Sequence, residues 1–478
     1  MAWKMIHGYE LIVGLEVHAE LSTRTKIFCA CSTAFGAEPN TQCCPVCLGY
    51  PGALPVLNRE VVHYAVKAGL ALECDIAGFS KHDRKNYFYP DLPKAYQISQ
   101  FDLPLCTAGR LMISTKEGAK TIGITRIHIE EDAGKLIHDE RGTLLDMNRC
   151  GVPLIEIVSE PDIRTPQEAD AYLRKLRTIL RYAGVSDCRM QEGNLRCDVN
   201  LSVRKPGEPL GTRTEMKNLN SFVSVTKAIE AEYARQVASL QAGIPIQQET
   251  RRYDQRTNQT IAMRRKENAN DYRYFPEPDL APVTLDENQI GRWRDELPVL
   301  PDARKQAYLA KYGLSDYSAE QLVAERSTAE YFEAAAALSK SPRTLANLLI
   351  TEVFRLLEGE DASIRIPAVH LARLSDMTEA GEINNNTAKA VIADTWLTGE
   401  NPDAYVNRNG LRQISSPEEL LPMVRQAIAD NPKIVAQYYG GKDTAKRAIM
   451  GAAMRLTSGK ANPNVLMELV DAELDGKR

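Results

Sequence analysis

No apolar run in the chain approaches the roughly 20 residues that a bilayer-spanning helix needs. The opening segment, MAWKMIHGYELIVGLEVH, lacks the zones of a cleavable signal and runs straight into a strand-like pattern. A cytoplasmic location is therefore expected. A net charge of -4 leaves no global basic field, so a nucleic-acid partner has to be met through local patches. There is no GxxxxGK(S/T) phosphate loop, no GxGxxG after a strand and no GxSxG nucleophile elbow. Any use of ATP must then proceed without a standard nucleotide fold. Internal repeats and low-complexity tracts are also missing.

What is present is ordinary in bulk. The 478 residues are 44% apolar and 26% charged, which suits two to four soluble domains with their own cores. Ten cysteines in a cytosolic chain argue for thiols or metal sites rather than disulfides. Cys29 and Cys31 form a CxC pair, Cys44 and Cys47 a CxxC pair, and Gly36, Pro39 and Asn40 lie in the short loop between. Two such pairs on two turns suit a closed four-thiolate zinc site over about 29–47. Four thiolates leave no open position, so the role would be structural. The bland alternative is a set of reduced buried cysteines.

The most unusual stretch is Thr121–Glu160, TIGITRIHIEEDAGKLIHDERGTLLDMNRCGVPLIEIVSE. Two runs rich in Ile, Val and Leu flank a polar hairpin. They carry Glu130, Glu131 and Asp132 in the first run, and Glu156 and Glu160 in the second. Strand side chains alternate faces, so Glu156 and Glu160 share one face, with Ile155 and Ile157 opposite. Carboxylates inside such runs are costly unless an Arg, a proton or a metal ion pairs with them, and several together favour the metal. Glu16 and His18 in ELIVGLEVHAE also share a face, as a hard-cation site or as a solvated strand surface. Asp198 sits on the polar face of the alternating run MQEGNLRCDVNLSVR, where it either joins an acidic pocket or faces water.

SKHDRKNYFYPDLPKAYQISQFD interleaves the cations Lys81, Arg84, Lys85 and Lys94 with Tyr87, Tyr89 and Tyr96. Pro90 and Pro93 suit a rigid loop. The composition fits phosphate and base contacts, or equally a charged surface loop. Helices are expected over Asn58–Leu72, after Thr165–Pro166, where Glu168 completes a capping box, and over Ser221–Gly243. Five prolines between Phe275 and Pro301 mark the main boundary. Beyond it the pattern is helical, with starts at Ser341–Pro342 and Ser416–Pro417 and a hinge-like break near Asn401–Gly410. Lys442, Lys446, Arg447, Arg455 and Lys460 form a basic edge in the last segment, which suits RNA phosphates or a solvated helix face.

The strings GLEVHAEL, KHDRKNYFYPDLPKAYQISQFD, GITRIHIEEDAGK, NRCGVPLIEIVSEPDIR, EGNLRCDVN, EMKNLNSF and DYRYFPEPDL together resemble the B subunits of aspartyl/glutamyl-tRNA amidotransferases. The likeness runs from Gly14 to about Pro282 and extends into the helical part, ending in GKANPNVLMELV. It implies an α+β fold: a cradle of mixed, mostly antiparallel sheet over 1–295, then two all-α domains over 296–405 and 406–478, the last binding tRNA. It also implies an ATP-dependent ligase. The side-chain carboxylate of a mischarged Glu-tRNA or Asp-tRNA is phosphorylated, then amidated with ammonia from a separate glutaminase A subunit. A small C subunit completes the complex. The competing reading is a tRNA-binding assembly subunit without chemistry. By the same resemblance, Glu16, His18, Glu131, Glu156 and Asp198 are expected at a magnesium site, with Glu131, Lys85 and Tyr87 as catalytic groups. Lys81, Arg84 and Lys94 are expected near the nucleotide, and Lys81, Lys85 and Tyr87 along the phosphate or ammonia route. The zinc element belongs to part of the family only, and its four cysteines are complete here. Glu130 and Glu131 have opposite parity, so either the strand ends or bulges there, or one of the two serves the ammonia route.

Overall fold

A computed structural model describes residues 3–140, 142–265, 269–359 and 363–475. The chain folds into two compact units, which divide at Leu300 and Pro301. The first is α+β. Among the described residues its main sheet has nine strands: β1 (Glu10–Glu20), β2 (Asp75–Ile76), β3 (Cys106–Thr115), β4 (Gly118–Glu131), β5 (Pro153–Ser159), β6 (Leu195–Arg204), β7 (Thr214–Leu219), β8 (Glu249–Asp254) and β9 (Gln259–Arg265). They run in the order β9–β8–β7–β6–β1–β5–β4–β3–β2, antiparallel at each pairing except the parallel β7–β8.

The two-residue period of the strands decides what each face carries. On β1, Leu15, Val17 and Ala19 are buried in the hydrophobic core, while Glu16, His18 and Glu20 point the other way. β6 repeats this with Cys197, Val199 and Leu201 in the core and Arg196, Asp198 and Asn200 opposite. Helices α1 (Arg59–Ala71), α2 (Pro166–Tyr182) and α3 (Phe222–Gln241) supply the other half of that core. Their starts follow from local sequence. Asn58, Thr165 and Ser221 accept hydrogen bonds from Glu60 N, Glu168 N and Ser224 N at 2.9, 3.0 and 3.0 Å. Each such cap is worth about 1 kcal/mol.

The second unit is helical, with one core drawn from Tyr308 to Val406 and another from Leu420 to Leu474. The segment expected as a hinge near Asn401–Gly410 is instead a short helix, Pro402–Arg408. Asn401 caps it by accepting from Ala404 N at 3.2 Å, and Pro402 fits the first turn. The apolar stripe after Ser341 is carried by an α-helix to Leu348 and then by a π-turn over Leu349–Val353.

Gly69 marks where α1 lies closest to the sheet edge. A Cβ there would stand 2.5 Å from Cys106 Sγ and 2.9 Å from Ile76 Cδ1. Gly291, in the helix Glu287–Asp295, has nothing within 4 Å of its equivalent position. In denaturant unfolding, Gly69→Val is expected to cost about 1–3 kcal/mol by overpacking. Gly291→Ala is expected to gain up to about 1 kcal/mol from helix propensity.

Candidate active site

Four central strands bring their polar faces into one cluster. The register sets Glu16 opposite Asp198, His18 opposite both Glu156 and Arg196, and Glu156 opposite His128. Because the alternation is shared, these side chains rise from the sheet on the same side. His18, Glu130 and Glu156 form one group whose ligand atoms lie within 4.8 Å of one another, and Glu16, Asp198 and Glu215 form a second. His18 stands between the two. Its Nδ1 lies 3.9 Å from Glu156 and its Nε2 lies 4.0 Å from Asp198.

Each group is held by neighbours that fix its oxygens. Ser99 Oγ donates to Glu130 at 2.9 Å, and His128 Nε2 lies 3.2 Å from Glu130 and 3.5 Å from Glu156. Lys85 Nζ stands 3.9 Å from Glu130. Burial by itself would push the Glu130 carboxyl up. Lys85, His128 and His18 outweigh it and hold the group well below the usual carboxylate range. In the second group, Asn200 donates to Glu16 at 2.7 Å and Thr250 to Glu215 at 3.1 Å. Lys217 Nζ bridges Asp198 at 2.5 Å and Glu215 at 3.1 Å. Burial works against the Lys217 charge, and these two carboxylates raise its pKa above the usual lysine value. Glu130 and Glu156 are only 3% and 8% exposed, so their charges need a cation close by. An oxygen-rich set with one imidazole suits a hard divalent ion.

Glu131 does not join either group, which corrects the expectation that placed it beside Glu16 and His18. β4 stays regular to its end, pairing Leu154 with Glu130 and Pro153 with Glu131, so Glu131 points to the opposite face from Glu130. There it forms an ion pair with Lys94 and accepts from Ile98 N at 2.9 Å. The pair lines a cavity with Lys26, Phe28, Tyr96 and Gly151 beside Cys29 and Cys47. Glu160 also departs from its expected face. A register shift between Val158 and Ser159 turns it outward, where it accepts from Thr125 at 2.7 Å.

The cationic loop divides in the same way. Its strand Asp83–Asn86 pairs with Tyr96–Ser99 and with Phe275–Pro276. Of the loop cations, Lys85 reaches the carboxylate cluster. Lys81 is tied to Asp83 and to Asp102 at 2.5 Å, and Lys94 to Glu131. Arg84 is paired with Glu277 at 2.6 Å and lies 4.3 Å from the Tyr96 ring. Tyr87 stands beside Lys85, with Nζ 5.7 Å from its ring centre, and its hydroxyl donates to Gln97 at 3.4 Å. Alternation on a short strand separates Arg84 from Lys85, and local carboxylates claim the rest. The sequence puts Glu215 with Lys217 on a strand end without giving it a metal role, and it leaves Glu130 unassigned. Both were readable by parity, Glu130 with His128 and Glu215 with Lys217. In the tail, Lys446 is paired with Asp471 at 2.9 Å and Asp475 at 3.5 Å, so part of the basic edge is neutralised within the helices.

Cys29, Cys31, Cys44 and Cys47 come together, with their sulfurs within 4.8 Å of one another. A hydrogen bond from Cys29 leads the effects that bring the Cys47 thiol down to about 4, and Cys44 N also donates to it at 3.0 Å. The set has the donor type and number of a closed thiolate site.

A family model described as the GatB/GatE catalytic domain matches residues 11–291, and one described as the GatB domain matches residues 330–474. The chain is 52% identical over 476 residues to the B subunit of the aspartyl/glutamyl-tRNA(Asn/Gln) amidotransferase of Caldicellulosiruptor saccharolyticus, covering 98% of this chain and 99% of that protein. It is 53% identical over 471 residues to the corresponding protein of Caldanaerobacter subterraneus subsp. tengcongensis, with the same coverage. The corresponding protein of a Synechococcus species is 50% identical over 480 residues, covering 98% of each chain.

His82 lies behind the cationic loop, 3% exposed, edge-on to Phe28, with neither ring nitrogen hydrogen-bonded. Burial pushes its pKa down to about 4, against the pull of Asp83 and Glu277. The unfolded chain takes up this proton near pH 6.5. His82 therefore costs no stability above that pH, and stability falls as the pH drops from about 6.5 to 4, by about 3 kcal/mol in full. Denaturation midpoints measured across that window should show the slope in the parent chain and a shallower one in His82→Leu.

Proposed function

The chain belongs to the family of aspartyl/glutamyl-tRNA amidotransferase B subunits, and on that premise we propose that it activates and amidates a carboxylate carried by tRNA. The observation that carries this reading is His18 set between two groups of carboxylates, with Lys85 beside one and Lys217 within the other. The side-chain carboxylate of a Glu or Asp esterified to tRNA attacks the γ-phosphorus of ATP, and ADP leaves. Ammonia then attacks the acyl carbon of the mixed anhydride, phosphate leaves, and a proton is lost to give the amide.

This chemistry crowds negative charge into one place, which is why it needs cations around the transferring group. Magnesium held by His18, Glu130 and Glu156, with Glu16, Asp198 and Glu215 as a second set, would supply the charge that lets phosphates approach the acidic face. Lys85 offers an ammonium at the rim of the first set, placed to meet a phosphoryl oxygen. Ser99 and His128 keep the Glu130 oxygens in place, so the set is organised before substrate arrives. Tyr87 closes the same side of the site, next to Lys85.

The Glu131–Lys94 pair belongs with the arrival of ammonia, on the far side of β4 from Glu130. Its cavity beside the cysteine cluster supports a polar route on that face of the sheet. Ammonia comes from a glutaminase A subunit, and a small C subunit joins the complex. The chain carries no nucleophile motif of its own for glutamine hydrolysis. The four cysteines hold a structural zinc. The sheet unit is the cradle for the acceptor end, and beyond the helical portion 296–405 the helical tail 406–478 holds the outer side of the tRNA, in the cytoplasm. A pure assembly protein would have no use for two convergent carboxylate groups.

In the assembled complex, ATP turnover should appear only with Glu-tRNA(Gln) or Asp-tRNA(Asn). Glu130→Gln and His18→Ala should each lower that turnover by at least about 100-fold while tRNA binding survives. Turnover that persists in both variants sinks the site assignment. Metal analysis should find about one zinc per chain, lost in Cys44→Ser/Cys47→Ser. A stable wild type without zinc contradicts the structural role.

A further inference from the structure

An aromatic platform adjoins the acidic face, and none of the roles assigned above uses it. The Phe101 and Tyr274 rings stack at 4.2 Å with an interplanar angle of 8°. Tyr272 meets Tyr274 edge-on at 6.1 Å and Tyr87 at 5.9 Å. Lys85 Nζ lies 5.2 Å from the Tyr272 ring centre, so the platform begins where the Lys85–Glu130 contact ends. Phe101 is 48% exposed even though its ring is stacked on Tyr274.

The backbone beneath is built for this display. Arg273, between the two tyrosines, adopts φ 46°, a left-handed conformation that a side chain rarely takes. Asn86 Nδ2 donates to Arg273 O at 2.9 Å and to Tyr272 O at 3.3 Å, which holds the turn. Arg273 itself is exposed. A planar ring stack with one ring half-exposed offers the flat apolar surface on which an unpaired nucleobase stacks.

We infer that the Phe101–Tyr274 stack, with Tyr272, seats an adenine, and that this adenine is the unpaired 3′-terminal base of aminoacylated tRNA. The inference rests on the proposed reaction. The reacting carboxylate is joined to the terminal ribose by a handful of covalent bonds, so a carboxylate brought to Lys85 carries that base to the neighbouring platform. ATP is the other source of adenine.

The test uses the assembled complex and tRNA with 2-aminopurine in place of the terminal adenine, whose fluorescence is quenched on stacking. Wild type should quench it, Phe101→Trp should retain the effect, and Phe101→Leu should weaken binding about ten-fold with loss of quenching. Unchanged quenching and affinity in Phe101→Leu overturn the inference. So does quenching of 2-aminopurine riboside triphosphate, rather than the labelled tRNA, in a Phe101-dependent manner. The readout is equilibrium binding, so it stands apart from the phosphorylation step. Loss of turnover in Glu130→Gln with quenching intact supports both assignments. Absent tRNA-dependent turnover with Phe101-dependent quenching removes the proposed reaction and leaves the base site.

Discussion

Burying charge against hydrocarbon is the constraint around which the first unit is arranged. The strands β1, β4, β5 and β6 each present aliphatic side chains to a core closed by helices and charged side chains to the other face. Carboxylates so close to that core are tolerated only where cations or donors meet them. The neighbours of the acidic face answer that need. Lys85 and Lys217 bring positive charge, Ser99, Asn200 and Thr250 bring hydrogen bonds, and His128 touches Glu130 and Glu156 together. Asp132 follows the same rule at the rim. Arg196 donates to it at 2.5 Å, while burial and the nearness of Asp132 push Glu20 up to about 9.

Much of this could be read in the chain before any coordinates. The alternation on β1, β5 and β6 was explicit, and so were the cap Thr165 and the two cysteine pairs. These are local properties, set within a few residues. The errors came where tertiary context decides. Glu131 was grouped with Glu16 and His18 by resemblance, against the strand parity that β4 keeps to its end, and the bulge after Val158 hid the outward turn of Glu160. The hinge expected near Asn401 proved helical because Asn–Pro reads both as a break and as a capped start. The cations of the 81–94 loop looked equivalent as composition. Asp83, Asp102, Glu277 and Glu131 distinguish them, and three of these four are distant in sequence from the cations they meet.

The two faces of β4 also separate two kinds of work. Glu130 and Glu131 are neighbours in sequence, yet one joins His18 and Glu156 while the other meets Lys94 beside the cysteine cluster. A single peptide bond thus spans the sheet from the acidic face to the cavity behind it. Strand geometry fixes the spacing between the two through backbone that pairs with β5.

Lys217 gives the second carboxylate group a counter-ion drawn from the chain itself. The sheet can therefore close during folding without waiting for any ion from solution, because the ammonium balances Asp198 and Glu215 as β7 docks on β6. The same ammonium fills the space between Asp198 and Glu215, so this group is already balanced by the chain's own charge.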